Sequence, residues 1–246
     1  MMKKFKVGCM ASFFLAGLCT STTFAQVKPA AKKQVATVKE AGKPGASKEV
    51  AGPVRVQIST DSGVIVVRLS DSTPLHRDNF VKLVRQGFYD SLLFHRVIPG
   101  FMIQGGDPGS KNAEPGTMLG GGGSDMTRIP AEFYPTLFHK KGALAAARDN
   151  NAQKASSASQ FYIVEGKAAT DDQLNMYEQQ KGIKYTAAQR DIYKTIGGTP
   201  QLDQNYTVFG EVETGLDVIT KIAAAIKDQN NRPMGNVRMR MEIVQK

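Results

Sequence analysis

The chain has 246 residues and a formal net charge of +10, enough length for one large domain or two small ones once unfolded segments are set aside. The charge is unevenly spread: Lys3, Lys4 and Lys6 put +3 on residues 1–25, and six lysines against Glu40 and Glu49 put +4 on residues 26–53, which leaves +3 for everything after them. So small a remainder excludes the basic footprint of a nucleic-acid binder.

In chain order, the three early lysines precede an apolar run over residues 7–18 and then Thr23-Phe24-Ala25, the pattern of a secretory signal peptide over residues 1–25. The run is shorter than the ~20 residues that cross a bilayer, so no permanent membrane span is expected. A lipid anchor on Cys19 is disfavoured by Leu18, where a lipoprotein signal carries Gly or Ala. Both cysteines, Cys9 and Cys19, fall in this leader, so a mature chain without it offers no thiol for disulfides, redox chemistry or thiolate metal sites. Residues 26–53 are rich in Lys, Ala and Pro without a sustained apolar period, and read as a flexible tether that cannot bury enough surface to offset its ordering entropy. The remaining stretch, 54–246, is long enough for one well-buried core.

That stretch opens with β-branched runs over 54–59 and 64–69 separated by Thr60-Asp61-Ser62-Gly63, an antiparallel hairpin. Ser72-Thr73-Pro74 then supplies a cap and a first-turn proline, and Phe80, Leu83, Val84 and Phe88 recur at helical spacing around Gly87. Short strands are expected at 93–97, 102–104, 142–147, 161–164, 208–212 and 237–244, with a second helix near 216–226. Many short strands and two well-placed helices predict a mainly β fold, a closed eight-stranded antiparallel barrel capped at its ends. Between Gly166 and Pro200 the pattern changes: Leu174, Met176 and Tyr177 lie in one polar helical stretch, and Ile192 and Ile196 in another. A helical insertion is expected there, opened by Asp171-Asp172 as first-turn acids.

The densest chemistry lies in Phe94-His95-Arg96-Val97-Ile98-Pro99-Gly100-Phe101-Met102-Ile103-Gln104-Gly105-Gly106-Asp107. It sets a cation, large apolar groups and an amide within two strands and a turn. Alternation puts Phe101 with Ile103 on one face and Met102 with Gln104 on the other, unless the Pro99-Gly100 turn resets the register. The run closely resembles the signature of cyclophilin-type peptidyl-prolyl cis/trans isomerases. Two more segments agree with that family in order and spacing: Gly142–Ala147 leading to Ser159-Gln160-Phe161-Tyr162-Ile163, and Leu202-Asp203 leading to Tyr206-Thr207-Val208-Phe209-Gly210.

The resemblance implies an isomerase acting on X-Pro bonds of exported polypeptides, most simply in the periplasm, with no cofactor. It implies that Phe101, Met102, Tyr162 and Leu202 line a proline pocket with Tyr206 at its edge. Gln104 and Gln160 would hold the peptide and orient Arg96, and the backbone around Ala147 and Arg148 would pair with the residue before proline. Arg96 suits the catalytic part: a twisted X-Pro amide gains a lone pair on nitrogen that a guanidinium satisfies and that the planar ground state does not offer. Several positions depart from the family. Gln201 stands where many members carry a tryptophan that contributes to cyclosporin binding, which makes that binding doubtful. Tyr162 replaces a phenylalanine, Tyr206 a histidine and Arg148 an asparagine.

Other features point elsewhere or nowhere. His95 alternates away from Arg96 and reads as a packed structural histidine; with His76 and His139 it forms no recognisable ligand set, so no metal is expected. Gly120–Gly123 lacks the Lys-Ser/Thr of a phosphate cradle and reads as a flexible loop. The insertion must begin and end near the mouth of the site, as a lid, a substrate selector or a partner surface. A non-catalytic module that grips proline segments or an envelope partner is the alternative to an enzyme.

Overall fold

Alternation is the organising feature of the first hairpin. In β1 (Arg55–Thr60) Val56 and Ile58 are fully buried, and in β2 (Gly63–Leu69) Ile65, Val67 and Leu69 point the same way. The register Thr60↔Gly63 leaves a two-residue loop, in which Thr60 Oγ1 accepts from Ser62 N and donates to the Gly63 carbonyl. Gly63 has φ +137°, and a Cβ there would come within 2.7 Å of Val218, so only glycine lets the helix carrying Val218 lie so close. These features come from a computed structural model that describes residues 53–244. The expected signal peptide, both cysteines and all but the last residue of the expected tether lie outside the described residues.

Six further strands follow: β3 (Phe94–Ile98), β4 (Met102–Gly105), β5 (Ala143–Ala146), β6 (Phe161–Val164), β7 (Val208–Thr214) and β8 (Arg240–Val244). All pair antiparallel in one sheet of order β3-β4-β6-β5-β7-β2-β1-β8. The fold is mainly β, as expected, but the sheet curls into a half-barrel and its ladders do not close. The reason is local. The outer edge of β3 is taken up by the chain leading into β8: Val97 N donates to the Asn231 carbonyl, Phe94 N to that of Val237, and a single bridge joins Leu93 to Arg238. β8 itself starts only at Arg240, beyond the reach of β3.

Among the described residues four α-helices accompany the sheet: α1 (Pro74–Arg85), α2 (Asp171–Lys181), α3 (Ala187–Thr195) and α4 (Leu216–Ala223). Phe80, Leu83 and Val84 of α1 and Val218, Ile219 and Ile222 of α4 join the inward residues of the strands in one core. Within it Phe80, Tyr89, Phe94, Phe161 and Phe209 meet mostly tilted or edge to face, the geometry that ring quadrupoles favour. The expected Thr73 cap is not made by its side chain. The Glu132 carboxylate, from a distant loop, instead accepts from Leu75 N and His76 N at 3.1 and 3.0 Å and from His76 Nδ1 at 2.6 Å.

The insertion is built from α2 and α3. Each opens with a reciprocal capping box, Thr170 with Gln173 and Thr186 with Gln189, which satisfies two otherwise orphaned N–H groups per helix. Asp171 and Asp172 occupy the first turn of α2 as expected. Of the apolar residues expected in these helices, Leu174 joins a small core with Tyr185 and Tyr193, whereas Met176 and Ile196 are exposed.

Candidate active site

The sheet is buried on both faces where β4, β6 and β5 run side by side. Ile103, Ile163 and Leu144 face the main core, while Met102, Tyr162, Val164 and Ala145 face outward into a second cluster with Phe101, Leu202 and Tyr206. Gln104 shares the outward face, paired with Tyr162 in register. Phe101 joins Met102 rather than Ile103 because it precedes β4, within the Pro99-Gly100 turn. The Glu165 carboxylate accepts from Gly100 N there, and the Phe101 carbonyl accepts from Glu165 N and Gly166 N.

Arg96 reaches the same face from β3 and completes a cavity of about 300 Å³ with Phe101, Met102, Gln104, Ala147, Arg148, Tyr162, Leu202 and Tyr206. Every residue expected at the site lines this cavity except Gln160, which lines an adjoining one of about 200 Å³ that shares Gln104, Gly120, Ala147 and Arg148. A larger cavity of about 400 Å³ lies beside Arg68, Lys140 and Glu211. Its cations are already paired to Glu211, so it offers no uncommitted charge for chemistry.

A chain of amides holds Arg96. Its Nη1 donates to Gln104 Oε1 at 3.2 Å, Gln104 Nε2 donates to Gln160 Oε1 at 3.1 Å, and Gln160 Nε2 donates to the Gly120 and Gly122 carbonyls at 3.0 and 2.9 Å. The glycine run is therefore not the loose loop expected from its composition. Buried Asp107 accepts from Gly109 N, Gly120 N and Gly122 N at 2.7, 2.5 and 3.2 Å. A Cβ on Gly122 would fall 2.0 Å from Asp107 Oδ1, so its lack of a side chain is what lets the loop close over the carboxylate.

The pocket wall is braced as well. Tyr162 stands edge-on to Tyr206 with centroids 5.9 Å apart, and the Arg148 guanidinium lies 4.8 Å above the Tyr206 ring while its Nε donates to the Asn205 carbonyl. Burial, helped by Tyr206 and Asp203, pushes the Tyr162 hydroxyl well above the usual phenol range, so it stays protonated. Ala147 uses both of its own backbone groups internally, its N–H to Gln160 and its carbonyl to Ser157. Of the two residues expected to pair with a peptide, Ala147 thus has both main-chain groups already engaged.

His95 departs from expectation. It is packed, but on the cavity wall rather than away from it. Phe94 pairs with Gly105 and Arg96 with Gln104, so His95 is the extra residue of a β-bulge, which breaks the alternation that would have turned it to the core. Burial, opposed in part by Asp107, pushes its pKa down to about 4, leaving the ring neutral at pH 7. Among the described residues no group of three or more His, Cys, Asp or Glu gathers as a metal-binding cluster, and no helix is long and apolar enough to cross a membrane.

The comparisons with known proteins agree with this geometry. The family model described as cyclophilin type peptidyl-prolyl cis-trans isomerase/CLD matches residues 55–243. The chain belongs to the cyclophilin-type peptidyl-prolyl cis-trans isomerases. This cyclophilin is 34% identical over 196 residues to a Staphylococcus aureus (strain USA300) protein that carries a peptidyl-prolyl cis-trans isomerase name, covering 79% of this chain and 93% of that one. It is 35% identical over 189 residues to a Streptococcus pyogenes serotype M6 protein named for phosphatase and isomerase functions together, covering 76% of this chain but only 37% of that protein's length. The crystal structure of a Cryptosporidium parvum cyclophilin superposes with a TM-score of 0.59 at 24% identity, over 79% of this chain and 99% of that one. A second crystal structure of that protein, obtained in the presence of the dipeptide Ala-Pro, gives 0.56. At that identity the likeness speaks to the fold.

Proposed function

We propose that this cyclophilin accelerates rotation about X-Pro bonds by offering the Arg96 guanidinium to the prolyl nitrogen as the amide leaves planarity. The barrier is ~18–20 kcal/mol because resonance must be broken, and the uncatalysed reaction takes tens to hundreds of seconds. No bond is cleaved, so neither nucleophile nor cofactor is called for. In the twisted state the nitrogen is pyramidal and carries a lone pair; a donor placed there stabilises that state and not the planar one, at tenfold in rate per ~1.4 kcal/mol. The observation that carries this reading is the position of Arg96, tethered through Gln104 to Gln160 on the wall of a cavity floored by Phe101, Met102 and Tyr162.

In this reading Phe101, Met102, Tyr162 and Leu202 seat the proline ring, Tyr206 closes its edge, and the Arg148 backbone pairs with the preceding residue. The substrates are proline-containing segments of exported polypeptides. Supporting that are the leader pattern of residues 1–25 and the confinement of both cysteines to it, which suit an oxidising compartment such as a periplasm. Gln201 stands exposed beside Leu202 in the short 3-10 turn Pro200–Leu202, a position that offers cyclosporin an amide instead of an indole. In a proline-peptide isomerisation assay Arg96→Ala is expected to lower kcat/KM by at least about 100-fold, ~2.7 kcal/mol, with the melting temperature unchanged. A parent protein that binds proline peptides without turnover would instead favour the non-catalytic module.

A further inference from the structure

The strands of the pocket are joined to the insertion by buried polar contacts that packing alone does not require. At its base the insertion is stitched to the segment before β5: Lys141 N donates to the Gly197 carbonyl, Thr199 N to that of His139, and Lys167 and Gly198 exchange a pair of bonds. Beyond this base, one carboxylate gathers everything. Asp203 is 3% exposed. Its Oδ1 accepts from His139 N at 2.8 Å and from His139 Nδ1 at 2.7 Å, and its Oδ2 accepts from the hydroxyls of Tyr193 at 2.5 Å and Tyr185 at 2.8 Å. Burial works to raise its pKa, but the His139 and Tyr193 hydrogen bonds outweigh it and hold the carboxyl below its usual range. Four donors fill the acceptor capacity of an ionised carboxylate.

The other side of this node is the proline pocket. Nδ1 of His139 lies on that carboxylate, and its Nε2 is hydrogen-bonded to the Tyr162 hydroxyl, 2.9 Å away. Tyr162 and Leu202 line the same cavity, and Leu202 immediately precedes Asp203, whose carbonyl accepts from Lys181 Nζ at 2.8 Å. Two walls of the pocket thus hang from one residue, and three insertion side chains, Lys181, Tyr185 and Tyr193, grip that residue.

We propose that the helical insertion is a positioning element for the proline pocket: Tyr185, Tyr193 and Lys181 fix Asp203, and through Asp203 and His139 they set the Tyr162 ring and the Leu202 wall against which the proline ring is seated. The inference rests on the proline-pocket reading above and assigns the insertion a role at the site other than lid or partner surface. These are positioning residues, since none of the three reaches the cavity.

The test deletes single hydroxyls and reads kcat and KM separately on an X-Pro peptide, using the full chain, with far-UV circular dichroism and melting temperature as controls for folding. Tyr193→Phe is expected to raise KM about three- to tenfold with kcat changed less than twofold. Tyr162→Phe is expected to do the same, and the double variant to be no worse than the worse single one, because both changes cut one chain of contacts. If Tyr193→Phe fails to fold, Tyr185→Phe removes a bond to the same oxygen and carries the same expectation. An unchanged KM in a folded variant, or additive effects in the double variant, overturns the inference. Arg96→Ala keeps the two readings apart: loss of kcat there together with an unchanged KM in Tyr193→Phe sinks the role of the insertion alone, whereas full activity in Arg96→Ala sinks the site itself.

Discussion

The two faces of the β4-β6-β5 strands are held by different physics. On the inner face Ile103, Ile163 and Leu144 lie in an apolar core with the aromatic cluster around Phe80, and any side chain of similar volume and shape satisfies it. On the outer face Met102, Gln104 and Tyr162 sit one pleat away on the same strands, yet there direction matters: Gln104 and Tyr162 each have a named partner, and a misdirected amide leaves Arg96 unheld. The same backbone therefore carries a tolerant side and an exacting one. In the proposed reading the first decides whether the chain folds, and the second whether it turns over.

The contrast is sharpest in the substitutions that separate the two properties. Ile163→Ala, at a fully buried position of the inner face, is expected to cost ~2–5 kcal/mol of stability through lost burial and a residual cavity. Urea unfolding measures that loss, and kcat/KM of the folded fraction should stay within about twofold if inner packing does not set the site. A large loss of turnover at full folding would break the distinction between the faces.

His95 sits at the boundary between the faces and links stability to pH. Its folded pKa of about 4 lies below the ordinary 6.5, so as pH falls through 6.5 the unfolded chain takes up a proton that the folded chain refuses. Stability is therefore whole above pH 6.5 and is lost between there and about 4, by as much as ~3 kcal/mol. Unfolding free energies at pH 7 and pH 4.5 should show this decline, and His95→Phe should make it shallower, the remainder including buried His76, which is also pushed down. A smaller effect is expected at Gln160. Gln160→Leu removes the amide between Gln104 and the Gly120 loop and should lower kcat/KM about tenfold, ~1.4 kcal/mol, a change a steady-state peptide assay resolves.

Much of this was legible in the residues themselves. Alternation in 54–69 defines the hairpin, and the run from Phe94 to Asp107 carries much of the candidate site because its members are close in sequence and their chemistry is local. What was hidden depends on contacts between distant segments. Whether the sheet closes depends on which chain occupies the outer edge of β3, and that is settled by Asn231 and Val237 rather than by β8. The side on which His95 falls depends on a bulge, which alternation cannot foresee. Composition made Gly120–Gly123 a loose loop because nothing nearby in sequence announced that Asp107 would hold it. The capping boxes at Thr170 and Thr186 did have a readable signal, Thr three residues before Gln, and would have placed both insertion helices to the residue. Asp203 and His139 had none: a lone acid and a lone histidine 64 positions apart become a node only when folding brings Tyr185 and Tyr193 to them.

The most direct test of the central claim is exchange spectroscopy by NMR on an Ala-Pro-containing peptide with the parent protein, Arg96→Lys and Arg96→Ala. The parent should accelerate cis/trans exchange strongly, Arg96→Ala should return it close to the uncatalysed rate, and Arg96→Lys should recover little, because an ammonium lacks the planar fork held by Gln104 and is more strongly hydrated. Parental exchange rates in folded Arg96→Ala would contradict the account.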